Sequence, residues 1–234
     1  MKIVNYLIEK VFQLLNRYLN HEARKNKVFC IGLHKTGTTS LANYFRRFGF
    51  SSAHSKYWNF EKSHLKKFEF FSDGGSHFDN DREFDFKSLY LNYPQAKFIL
   101  QTRDTEKWII SKLKHAGWTQ NSEIQPDNTD LITHDQWRHK SFLTIRRFIE
   151  HKLNYEKKVI DFFESRDPKR LIVVDITDRK SQTEAVNRVK QYLQLKSVNN
   201  ISFPHSNNKK SKNLLDNDVY DFINQVLSET SPTY

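Results

Sequence analysis

Apolar positions along this chain follow two alternating periods. Short continuous runs, "VFCI" from Val28, "KFILQT" from Lys97 and "LIVVDI" from Leu171, read as strands buried on both faces. Between them, apolar residues recur every three or four positions, the spacing of helices with one covered side. The pattern predicts a helix over 1–20, a strand over 27–32, a loop over 33–37 and a helix over 38–48. A short strand near Phe50–His54 and a helix around Glu61–Phe70 follow. Beyond the polar, turn-rich "SDGGSHFDNDREF" come a helix near Phe84–Asn92 and, past Pro94, the strand 97–102. A helix over Glu106–Ala116 leads into the polar stretch Gly117–Thr133, long enough for a lid. Next are a long helix, His134–Ser165, the strand from Leu171, and helices near Gln182–Leu193 and Asp216–Leu227.

Strands of this kind alternating with helices imply a three-layer α/β/α fold around a parallel sheet. Neither internal repeats nor a Gly/Pro/Ser linker appears, so one domain over 1–234 is expected. Ligands of such sheets bind beyond the carboxyl ends of the strands. Leu33–Thr39, Thr102–Asp104 and Asp175–Asp178 should therefore gather there.

Composition narrows the partners. The 234 residues are 37% hydrophobic and 28% charged, which suits a folded protein. A net charge of +11 calls for a polyanionic partner or co-substrate: nucleic acid, an acidic membrane, or a multiply phosphorylated nucleotide. Cys30 is the single cysteine, so a disulfide framework is excluded and a reducing cytoplasm is expected. The first twenty residues are apolar but interrupted by Asn5, Glu9, Lys10, Gln13, Asn16 and Arg17. They read as an amphipathic helix carrying Ile3, Leu7, Val11, Leu14 and Tyr18, not as a spanning segment or a cleavable leader. Docking of this helix on the domain is the expectation, with contact to a membrane surface the less favoured alternative.

Chemistry enters with "GLHKTGTTSL", Gly32–Leu41, where the first apolar strand ends. A glycine turn feeding a helix start directs backbone N–H groups and the positive end of the helix dipole at an anion. Gly37 permits close approach, Thr38 and Thr39 carry hydroxyls, and Lys35 supplies a mobile cation. Gly32 and Gly37 keep the glycine spacing of nucleotide triphosphatase loops, but Thr38 stands where those loops place lysine.

The loop resembles the 5′-phosphosulfate loop of the sulfotransferase family. "QTRDTEKWIISK" supports the likeness, with Arg103 at a strand end and Ser111 eight residues on. "DFFESRDPKRLIVVDITD" and "ISFPHSNNKK" also resemble bacterial members, although His205 and Asn207 receive no role. The resemblance runs from Val28 to Lys210 and is most specific in the two anion motifs. It implies a fold of the P-loop nucleotide-hydrolase type and the donor 3′-phosphoadenosine 5′-phosphosulfate. Lys35 would contact the leaving phosphate, and His34, Thr36, Gly37, Thr38, Thr39 and Ser40 would complete the 5′ site. Arg103 and Ser111 would hold the 3′-phosphate.

Two departures matter. His34 takes the place of a proline in the family loop and is read as a turn residue. Ser40 stands where cytosolic members stack an aromatic ring on adenine, leaving Trp58 and Trp108 as substitutes, with core packing favoured for Trp108.

A base is expected from the polar segment before "YP". The family's "D-x-P" element aligns there on Asp79, with Asp81 at the proline position; Asp81, His77 and Asp73 follow Asp79 as candidates. Sulfuryl transfer needs no metal ion, since the group carries less charge than a phosphoryl group. The acceptor is expected to be a small molecule, glycan or lipid bearing a hydroxyl or amine.

Two other functions fit parts of the sequence. Asp175, ending "LIVVD", could hold magnesium in a nucleotide kinase or triphosphatase. The basic run Arg138–Lys152 could serve a nucleic-acid-binding module, but zinc spacing and RNA-recognition signatures are missing, so a nucleic acid is not an expected partner.

Overall fold

The computed structural model describes residues 2–54, 62–73, 86–116, 118, 134–204, 215 and 217–230. Its elements in order are α1 (Lys2–Leu19), α2 (His21–Lys25), β1 (Val28–Cys30), α3 (Thr38–Arg47), β2 (Ser52–His54) and α4 (Lys62–Lys67). They continue with β3 (Phe70–Ser72), α5 (Phe86–Asn92), β4 (Lys97–Thr102), α6 (Thr105–His115) and α7 (His134–Glu164). A 3-10 turn at Pro168–Arg170, β5 (Leu171–Asp175), α8 (Gln182–Tyr192) and α9 (Asn217–Thr230) complete them.

All five strands are parallel, in the order β2-β3-β1-β4-β5. The chain fills positions on one side of β1 first and then crosses to the other. The carboxyl end of β1 is thus the switch point at which ligand crevices form in such sheets.

Alternation along each short strand sends successive side chains to opposite layers. Val28, Cys30, Phe70 and Ile99 pack with Leu41 and Phe45 of α3 and Val186 and Val189 of α8. On the other face, Phe29 stacks on Phe71 with centroids 5.0 Å apart. Phe98 meets Phe163 at 4.9 Å, and Phe86 and Tyr90 of α5 meet Phe162 edge-on at 5.2 Å. Aromatic pairs therefore seal the layer built by α5 and the end of α7.

The expectation of a helix reaching Phe70 is corrected. α4 ends at Lys67, and Phe70–Ser72 form β3, hydrogen-bonded between β1 and β2. A three-residue strand shows no period of its own. Phe70 and Phe71 reveal it only through the opposite layers they enter.

Packing groups residues 1–103 and 158–208 in one compact unit, which contains the whole sheet, and 104–157 and 209–234 in a second. In the second, Asp104 caps α6 by accepting from the Lys107 N–H at 2.9 Å. Trp108 is fully buried there, as core packing would have it. The Lys112 ammonium lies 3.8 Å from the centre of the Phe148 ring. Arg138 of α7 bridges to Asp218 of α9.

Candidate functional site

β1 runs directly into the loop Ile31–Gly37, and two close approaches shape it. A Cβ on Gly32 would lie 2.0 Å from the Gln101 carbonyl oxygen. Gln101, buried on β4, reciprocates with its side chain, its Oε1 accepting from Gly32 N–H at 3.1 Å. Gly37 adopts a left-handed φ of 92°, and a Cβ there would come within 2.7 Å of Ile176 Cδ1. Glycine is thus required at both positions. Lys35 also sits in the left-handed region, at φ 68°, although it carries a side chain. Strained residues of this kind concentrate at functional sites because the surroundings must hold them.

Helix α3 begins at once. Leu41 N–H is bonded to Gly37 O at 3.0 Å, so the N–H groups ahead of it point out of the helix end. Thr36, fully buried, turns its hydroxyl back to Leu33 O and staples the loop.

The neighbouring strands bring groups of opposite charge to the loop. From the end of β4, Arg103 donates through Nη1 to the Lys35 carbonyl at 3.0 Å. From the end of β3, Asp73, itself at φ 61°, accepts from Thr38 Oγ1 at 3.3 Å. Burial depresses the Lys35 ammonium below the ordinary lysine value; adjacent Arg103 adds to the effect and Asp73 opposes it. A half-buried lysine between these two side chains is tuned by its surroundings.

His54, at the end of β2, ties the Asp73 side together. Its Nδ1 is 2.9 Å from Ser72 Oγ and its Nε2 3.0 Å from Thr39 Oγ1. Ser72 Oγ donates to Thr38 O at 3.2 Å, so Nδ1 carries the proton and Nε2 accepts from Thr39. Asp73 Oδ2 lies 3.9 Å from Nε2. Burial holds the imidazole below its ordinary value, Asp73 opposes this and Arg46 adds to it. A neutral ring matches the hydrogen-bond pattern. Sequence reasoning passed over both His54 and Ser72. The available signal was their position, as polar residues closing strands of a buried parallel sheet.

β5 ends differently. Asp175 Oδ1 accepts from Thr177 N–H and Thr177 Oγ1, each at 2.7 Å, and from Asp178 N–H at 3.3 Å. That carboxylate oxygen closes a turn.

The expected residues therefore divide. Lys35, Thr36, Gly37, Thr38, Thr39, Asp73 and Arg103 come together around the end of β1. His34 and Ser40, partly buried, belong to the loop and the first turn of α3. Ser111 is partly buried on α6, in the second unit. Asp79, Asp81, His77, Trp58, His205 and Asn207 lie outside the described residues, as does most of the stretch read as a lid. Among the described residues, no group of three His, Cys, Asp or Glu side chains is placed to hold a metal ion. No helix among them is long and apolar enough to cross a membrane.

Comparison with known proteins identifies the family. No curated protein matches the chain. Residues 70–212, more than half of it, match the sulfotransferase domain family, from the start of β3 past β4, β5 and α8. The loop at Lys35 precedes the matched span. With a parallel sheet of this order and a match of this extent, the chain belongs to the sulfotransferase family.

Proposed function

We propose that the protein transfers a sulfuryl group from 3′-phosphoadenosine 5′-phosphosulfate to a hydroxyl or amine of a small-molecule, glycan or lipid acceptor. The observation that carries the reading is the 3.0 Å hydrogen bond from Arg103 to the Lys35 carbonyl. It seats the Arg103 guanidinium on the backbone of Lys35, and the resemblance places these two residues at opposite phosphates of one nucleotide. The local chemistry fits such a donor. A helix start, a lysine and an arginine meet at the end of β1, and Gly37 keeps the backbone accessible there.

When bound, this donor supplies an activated sulfuryl group and leaves as adenosine 3′,5′-bisphosphate. The chain's residues position and compensate charge. The 5′ end is assigned to the loop, where the N–H groups of Gly37–Ser40 serve as donors, while the Thr38 and Thr39 hydroxyls, committed to Asp73 and His54, hold the start of the helix in place. Lys35 brings positive charge to the side where negative charge accumulates, the kind of preorganised stabilisation that dominates transfers of this type. Arg103 is assigned to the 3′-phosphate as a forked donor.

The proton acceptor is assigned to the acidic segment from Asp73 to Asp81. Asp79 and Asp81 follow from the resemblance. Asp73 is supported by its place beside Lys35 and Thr38. His54 positions rather than reacts, because its Nε2 is engaged by Thr39.

Calorimetry with adenosine 3′,5′-bisphosphate and with ATP, each with and without magnesium, tests the proposal. Tight, magnesium-independent binding of the bisphosphate and weak binding of ATP are expected. Magnesium-dependent preference for ATP would overturn it in favour of a nucleotide kinase.

A further inference from the structure

Helix α1 is amphipathic, yet it meets the rest of its unit with its polar side. Asn16 and Asn20 are each 1% exposed. Asn16 donates to Arg47 O at 3.0 Å and accepts from Val198 N–H at 2.9 Å. Asn20 donates to Lys196 O at 2.7 Å and accepts from Lys196 N–H at 2.8 Å. Arg17 adds a 2.7 Å bond to Gly49 O. Rotation about the helix axis is fixed by these bonds, because turning the apolar side inward would strand buried amides and carbonyls.

The consequence is an outward apolar side. Leu7 is 56%, Val11 54% and Leu14 67% exposed; Val4 and Ile8 lie beside them. At 3.6 residues per turn these positions cover an arc of about 120°, wider than the seam of a paired coil. The helix has 18 residues and extends for about 27 Å. Around it, residues 1–27 hold six Lys or Arg against two Glu.

We propose that α1 seats the protein on an anionic lipid surface, lying in the plane of the interface with Leu7, Val11 and Leu14 inserted. Charge selects this occupant. A chain of net charge +11 is attracted to acidic headgroups, whereas a second copy on the same face would bring +11 against +11. A broad apolar arc flanked by cations is the form that partitions into an interface without spanning it.

Vesicle sedimentation of the full chain tests this without reference to donor or acceptor, so its failure leaves the sulfuryl-transfer reading untouched. Vesicles containing phosphatidylglycerol are compared with pure phosphatidylcholine, using wild type and the Leu7→Ser/Leu14→Ser double variant. Both leucines are exposed, so thermal unfolding of the variant should match wild type. Binding to the anionic vesicles, weakened at least about tenfold in the variant, is the expected result. Several results would overturn the proposal: no binding to anionic vesicles, equal binding to both compositions, or full retention by the double variant. So would self-association by sedimentation velocity that the variant abolishes while vesicles are ignored.

Discussion

β4 and β5 lie side by side, run parallel and stop in register, with Thr102 paired to Asp175. Their ends are put to different uses. Arg103, one residue past β4, reaches across to the backbone of the loop after β1. Asp175 folds its charge into the turn that follows it, accepting from Thr177 and Asp178. Both positions look functional in the sequence, a charged side chain closing an apolar strand. The difference is in where the charge is spent. In the proposed reading a cation directed at a glycine loop serves an anion, whereas a carboxylate oxygen with three donors of its own serves the fold.

Removing the loop cation should have the largest effect. Lys35→Ala is expected to lower kcat by about a hundred- to a thousandfold while donor affinity changes little, as for loss of a preorganised charge-stabilising group. Near-normal turnover in the variant would show that Lys35 does not stabilise the leaving group. Arg103→Ala should act chiefly on donor binding. Losing charge-assisted bonds costs about 1.5–3 kcal/mol, so affinity for adenosine 3′,5′-bisphosphate should fall by roughly ten- to a hundredfold. Calorimetry that finds wild-type affinity would remove Arg103 from the donor site and erase the contrast with Asp175.

The counterpart at β5 is Asp175→Ala. Loss of a carboxylate closing a turn should cost about 1 kcal/mol of stability, read as a lower urea midpoint, with specific activity per folded molecule retained. Abolished activity at full stability would instead identify Asp175 as part of the reacting centre and revive a magnesium role for it.

Legibility of these features followed the strength of their local signals. The strands at Val28, Lys97 and Leu171 and the helices after them were readable because continuous apolar runs and helical spacing both report burial. That Lys35, Gly37 and Arg103 would meet at one end of the sheet was readable because each follows the carboxyl end of an apolar strand. β3 was not, since three residues cannot display a period of two. With β3 went the arrangement it creates: Ser72 and Asp73 at the level of the loop, and His54 between them and Thr39. Pairing across strands distant in sequence leaves no local trace. The orientation of α1 was hidden for a related reason. Its apolar stripe predicts a covered face, and only the partners of Asn16 and Asn20 reveal that the opposite face is the one docked.

His54 offers the smallest effect and the closest check on the Asp73 side of the loop. Burial holds its imidazole below the ordinary value in the folded protein, against the pull of Asp73. The unfolded chain takes up the proton near pH 6.5, at the unperturbed value. Between that pH and the lower folded value, the unfolded state binds more protons, so stability falls as the pH falls. Above the window the penalty is absent. One group contributes at most about 1.4 kcal/mol per pH unit. Urea unfolding at several pH values between 5 and 8 should therefore give a shallower acid-side loss for His54→Asn than for wild type. Coincident pH profiles would mean that the folded ring protonates like a free one. In that case Nε2 would not be held as the acceptor of the Thr39 hydroxyl, and the Asp73 side of the loop would be no more organised than the turn after β5.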